Sequence, residues 1–311
     1  MNTFDESVQL GTVDIQDVHM IRLPLARRIM LHWVVRLLIT WFGFGLLTWA
    51  GVAGLEALSV EITPIVTVGV LAVCVLLTVF AVTGLIERRN PAAIGLGLCH
   101  FVIDWLKGAG VGAAYLGASV GILALLGGYR MTGVTFAREA LAGGLLLHFL
   151  VGVVEETLFR GILFRFLEEG LGSWLALSIT ALFFGFSHWG NPNATVWSAI
   201  AIALEAGVLF GAVYMATRSL WIVMGLHTAW NFLQGAIFGV AVSGNGAPSD
   251  SLFQPLIQGN PWLTGGAFGI EASMIAVVLG LGLGSYFMVQ AVQQQRILRG
   301  LWWRGGINVL N

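Results

Sequence analysis

Long apolar runs separated by short polar breaks fill most of the chain. A bilayer core is crossed by about 20 consecutive apolar residues in a helix. The pattern predicts eight such spans, at 31–50, 63–86, 108–127, 139–168, 173–190, 195–217, 220–241 and 269–292. The fold expected is therefore all-α: a polytopic transmembrane helix bundle of about eight spans. A polar tail, 1–28, precedes the N-terminal helices of 29–138. Residues 90–107 carry Pro91, His100, Asp104 and Lys107 among apolar neighbours, which reads as an amphipathic interfacial helix or as an extension of the third span. A core segment, 139–241, is followed by a loop, 242–268, rich in Gly, Asn, Pro and Ser. The last span and its tail occupy 269–311.

The basic residues orient this bundle, because cytoplasmic loops carry an excess of Lys and Arg. Arg22, Arg27, Arg28 and Arg36 flank the first span, Arg88 and Arg89 follow the second, and Arg165 ends the fourth. Arg218 lies between the sixth and seventh, and Arg296, Arg299 and Arg304 follow the eighth. The 51–62 loop has Glu56 and Glu61 but no Lys or Arg, and 242–268 has neither. Both termini are thus expected in the cytoplasm and 242–268 outside it, with Arg130 and Arg138 as exceptions. Trp302 and Trp303 beside Arg304 suggest an anchor at the membrane interface.

Composition agrees. Hydrophobic residues make up 57% of 311 and charged residues 10%, with a mean hydropathy of +0.87; soluble chains carry roughly 25% charged residues. A net charge of -1 argues against nucleic-acid binding. Two cysteines, Cys74 and Cys99, make no disulfide framework. The residues through Asp17 are polar and acidic, unlike a cleaved signal peptide, so the first span is expected to remain as an anchor. The setting expected is a multi-pass cell-membrane protein, in a bacterial inner membrane.

Against this background a few polar residues stand out. Glu155 and Glu156 lie mid-span, where an ionised carboxylate is costly and is normally paired or functional. Arg160 follows Glu156 by four residues, the favourable order for a helix ion pair, which makes Glu156–Arg160 a structural pair and leaves Glu155 for chemistry. His188 lies as far after the turn at 170–172 as Glu155 lies before it, so a helical hairpin brings the two to similar depth. His227 and Asn231 share one helix face. A glutamate and a neutral histidine can deprotonate water for attack on a peptide carbonyl. A second histidine and an amide can donate to the oxyanion, each typically worth about 3 kcal/mol. His148 lies on roughly the Glu155 face, as a supporting or a packing residue. Glu205 is either a partner for Arg218 or a cavity residue.

Other intramembrane chemistries lack their motifs: no H-E-x-x-H, no G-x-S-G, and no G-x-G-D among the five aspartates. At Glu155-Glu156-Thr157-Leu158-Phe159-Arg160, Phe184-Gly185-Phe186-Ser187-His188 and His227-Thr228-Ala229-Trp230-Asn231, the chain resembles the CAAX prenyl protease and bacteriocin-processing (Abi) family of intramembrane glutamate proteases, over roughly 139–240. The resemblance implies an eight-helix bundle with a conical cavity opening to membrane and cytosol, and a catalytic core at 139–241. It further implies Glu155 and His188 as the water-activating pair, His227 and Asn231 as the oxyanion hole, Arg160 ordering Glu156, and Phe184 as a supporting residue. No cofactor is expected; zinc on two histidines and a glutamate is a minor alternative. The partners expected are the bilayer, a peptide or membrane-protein substrate, and other membrane proteins in complex. Rival readings are a non-proteolytic scaffold of the same fold, a transporter or proton relay on the same carboxylates, and a haem protein with axial His188 and His227.

Overall fold

The computed structural model describes residues 24–300. Arg22, Trp302, Trp303, Arg304 and the acidic start of the chain lie outside the described residues. Eight helices occupy the positions that hydropathy picks out. They are α1 Trp33–Ala57, α2 Pro64–Ile86, α3 Phe101–Leu125, α4 Arg138–Leu171, α5 Ser173–Ser187, α6 Val196–Thr217, α7 Leu220–Phe232 and α8 Met274–Gln293. Six of these are long and apolar enough to cross a membrane; α5, with 15 residues, and α7, with 13, are shorter. The architecture is an all-α polytopic helical bundle.

Local sequence sets where the helices start. Thr63, Ser219 and Ser273 each accept a hydrogen bond from a first-turn backbone N–H of α2, α7 and α8, and Thr195 with Ser198 forms a capping box on α6. Among the described residues π-helical turns occur at Val82–Ile86 at the end of α2, at Thr157–Phe164 in α4, at Ala203–Gly207 in α6 and at Leu233–Ile237 just beyond α7. Such turns are frequent at functional sites, and here the one in α4 directly follows Glu156 and the one in α6 contains Glu205.

Small residues let the helices meet backbone to backbone, as in other membrane bundles. A methyl at Gly225 of α7 would lie 2.0 Å from the Trp105 carbonyl oxygen of α3, and one at Gly185 of α5 would lie 2.2 Å from the Ala199 carbonyl oxygen of α6. These contacts fix α7 and α5, the helices that bear the histidines. Tyr115 stacks on Trp230 at 4.2 Å, tying α3 to α7 from the other side.

Two expectations are corrected. The segment near 90–107 is no separate interfacial helix: a short 3-10 turn, Pro91–Ile94, precedes α3, which begins at Phe101 and so absorbs Asp104 and Lys107. The 242–268 loop is partly ordered as a strand: β1 Tyr129–Val134 pairs antiparallel with β2 Phe253–Ile257. Both strands are short and lie between helices, where a hydropathy pattern sees only a polar break.

The bundle has two distinct ends. At one, the start of α1, the ends of α2, α4 and α6, and the chain after α8 meet through charges. Arg36 and Arg165 share Glu87, at 3.1 and 2.8 Å, and Arg36 also reaches Glu169. Arg218 holds Glu168 in a two-pronged pair and donates to the Arg296 carbonyl oxygen at 2.6 Å. At the other end, the two-stranded sheet lies beside the junctions of α5 with α6 and of α7 with α8. There Asn191 donates to the Ser243 carbonyl at 2.9 Å, and Trp197 to the Ala272 carbonyl at 2.8 Å.

Candidate active site

Glu155 and Glu156 end the regular α-helical part of α4, one residue apart and so about 100° apart around the axis. Glu156 points inward and is fully buried. Arg160, four residues on and 2% exposed, pairs with it at 2.9 Å and spends its other amino group on the Ala206 and Gly207 carbonyls, at 3.3 and 3.1 Å. Those carbonyls lie in the π-helical turn of α6. The guanidinium also sits over the Phe184 and Phe210 rings at 4.8 and 5.3 Å. A charge this deep survives only when paired and hydrogen-bonded, and here both terminal amino groups have partners.

The same Glu156 carboxylate holds α7 in place. His227 Nδ1 lies 2.7 Å from Glu156 Oε1, and since an ionised carboxylate only accepts, Nδ1 carries the proton. The ring's other nitrogen, Nε2, is thereby aimed at Glu155, 3.9 Å from its Oε2. Glu155 has no such cage. It is partly exposed, and its Oε2 has no hydrogen-bond partner.

Glu155, His188, His227 and Asn231 all line one cavity of about 570 Å³. His188, at the C-terminal end of α5, gives its Nδ1–H to the Phe184 carbonyl at 2.8 Å; a carbonyl cannot donate, so the neutral ring keeps a free lone pair on Nε2. Among the described residues no hydrogen bond joins Glu155 to His188, although both line the cavity. Phe184 packs against the His188 and Arg160 groups and lines the cavity, as does His148.

Two further carboxylates escape the motif pattern. Glu205 is a cavity residue rather than a partner of Arg218: Tyr115 donates to it at 2.7 Å, and Arg218 is taken by Glu168. Glu271, just before α8, also lines the cavity; its carboxylate accepts from the Ser243 backbone N–H and hydroxyl at 2.5 and 3.1 Å. Burial pushes its carboxyl above the usual range, with the Ser243 donors and His188 pulling the other way. The signal for Glu271 was a lone acid opening an apolar run, which looks like an ordinary helix start. Among the described residues no Lys or Arg lines the cavity, and no group of three or more His, Cys, Asp or Glu is arranged to hold a metal ion. A second hollow of about 350 Å³, between the start of α2, the first turns of α4 and residues 248–251, shares Pro64, Leu147 and His148 with the first.

Residues 137–233, which contain all three motifs, match the family model described as type II CAAX prenyl endopeptidase Rce1-like. No curated protein and no solved structure matches the chain. The family match supports a multi-pass membrane endopeptidase, a hydrolase acting on peptide bonds in or beside a bilayer.

Proposed function

We propose that the protein hydrolyses a peptide bond of a membrane-associated or lipidated polypeptide with water activated by Glu155 and His188. The observation that carries this reading is the division of labour between neighbouring glutamates. Glu156 is fully buried and paired with Arg160 and His227, while Glu155 is partly exposed and lines the cavity. A water held between the Glu155 carboxylate and the bare Nε2 of His188 gives up its proton as its oxygen attacks the carbonyl carbon. The developing oxyanion accepts from the Asn231 amide and from Nε2–H of His227. That ring is cationic in this state, because Nδ1–H is already committed to Glu156, and two carboxylates flank the charge. The proton taken from water then passes to the leaving amine, restoring Glu155. Arg160 acts through Glu156, and Phe184 and His148 shape the walls.

The test is unbiased peptide mass spectrometry on membranes carrying wild-type protein, Glu155→Ala or His227→Ala. Peptides present with wild type and missing from both variants support the proposal. Identical peptide sets from all three sink it and favour a scaffold that binds other membrane proteins without cutting them.

A further inference from the structure

The two imidazoles of the cavity are held differently. His227 is fixed directly by Glu156, whereas His188 gives its Nδ1–H to a backbone carbonyl, that of Phe184. Among the described residues no carboxylate is hydrogen-bonded to the His188 ring. One lies near it all the same. Glu271 is buried and lines the same cavity. Burial raises its carboxyl, and the Ser243 donors and a cationic His188 both pull against that, so ring and carboxylate feel each other.

Both Glu271 oxygens are taken by Ser243, Oε2 by its backbone N–H at 2.5 Å and Oε1 by its hydroxyl at 3.1 Å. Ser243 has a φ of +47°, uncommon for a residue with a side chain and kept only where the surroundings impose it. Its carbonyl accepts from the Asn191 side chain at 2.9 Å, and the Asn191 backbone N–H donates to the His188 carbonyl at 3.1 Å. Glu271 is thus joined to the backbone of His188 through Ser243 and Asn191. Beside this path, the Asn193 side chain donates to the Gly244 carbonyl at 3.2 Å, and the Gly244 N–H to the Phe268 carbonyl at 2.8 Å. Gly244 permits the approach, since its φ is +83° and a side chain there would strike the Pro192 carbonyl oxygen. The turn after α5, the turn at 243–245 and the residues before α8 form one tied unit that contains both His188 and Glu271.

We propose that Glu271 is a positioning residue for His188, locking the turn that carries the imidazole and setting a negative charge near the ring. The inference rests on His188 as one half of the water-activating pair. It adds a residue that the family match, ending at 233, does not reach. As an acceptor, Glu271 fixes where the bare Nε2 points. As a charge, it favours the cationic ring and so makes the neutral ring a stronger acceptor for the proton of water. The other titratable groups on the cavity wall are Glu155 and His148 of α4, His227 of α7, and Glu205 of α6 with Tyr115 of α3 bonded to it. Of the two carboxylates outside the motifs, Glu271 is the one bonded into the His188 turn.

Two variants of the full-length protein in nanodiscs separate the tie from the charge. Glu271→Ala removes both, whereas Glu271→Gln keeps a carbonyl oxygen for Ser243 and removes the charge. Hydrogen exchange read by mass spectrometry follows the tie without any catalysis. Amides of 188–194 should exchange at least about tenfold faster in Glu271→Ala than in wild type, with those of 141–155 in α4 unchanged. The charge is followed by turnover of an internally quenched peptide bearing the cleavage sequence found with wild-type membranes. Glu271→Gln should lower kcat by at least about tenfold with KM within about threefold. The acidic limb of its pH profile should move down by at least about half a unit, because a ring without its neighbouring carboxylate stays neutral to lower pH. Unchanged exchange at 188–194 in Glu271→Ala overturns the proposal, as does a Glu271→Gln limb that stays where the wild-type limb lies. A wild type that releases no peptide fails the protease reading and this one with it; variants indistinguishable from an active wild type fail this one alone.

Discussion

Two layers of the bundle, separated by a single residue along α4, treat buried charge in opposite ways. Around Glu156 the interior is closed. The carboxylate pairs with Arg160 and His227 Nδ1, Arg160 also donates to two backbone carbonyls, and aromatic rings pack against the guanidinium. Around Glu155 the interior is hollow, and an acid, two imidazoles and an amide border space that no side chain fills. The lesson is that a membrane helix can carry adjacent identical residues with separate tasks, because a 100° rotation takes one into packing and the other into a cavity. Substitutions in the closed layer should cost stability, and those in the hollow layer should cost activity.

The sharpest break of that comparison is at Glu155. Glu155→Gln should lower peptide release by about 10³–10⁴-fold, equivalent to roughly 4–5 kcal/mol of barrier, with the thermal midpoint in detergent unchanged. Arg160→Leu should do the reverse. It leaves Glu156 buried without its cation, a loss of about 3–5 kcal/mol, visible as a lowered unfolding midpoint, and a further Glu156→Gln change should restore part of it. Asn231→Ala should reduce kcat by about 10²–10³-fold with little effect on KM, as removal of one oxyanion donor does. Tyr115→Phe removes the hydroxyl that donates to Glu205, on the cavity wall, and should cost about 1–3 kcal/mol in denaturation measurements.

Much of the closed and hollow layers was legible before any coordinates. Each of the eight apolar runs read from hydropathy coincides with a helix, six of them long enough to span, since lipid permits backbone only as closed helix or barrel. The i, i+4 spacings of Glu156 with Arg160 and of His227 with Asn231 follow from one helix alone. The bond from Glu156 to His227 was not legible, because it depends on how α4 and α7 approach, 71 residues apart in sequence. The π-helical turns after Glu156 and around Glu205 carry no sequence signature, so neither the carbonyls that receive Arg160 nor the inward turn of Glu205 could be anticipated. Glu271 acquires its place from Ser243 and from the path of a long loop. The strands β1 and β2 were invisible for a similar reason: their pairing joins segments on either side of four helices.

The central claim is that water is added across a peptide bond in the Glu155 layer. The direct measurement is mass spectrometry of peptides released by the purified protein in proteoliposomes prepared in ¹⁸O-water. Wild type should release peptides bearing one ¹⁸O atom in the new C-terminal carboxylate, and Glu155→Gln should release essentially none while Tyr115→Phe still does. Equal release of labelled peptides by wild type and Glu155→Gln would contradict the account.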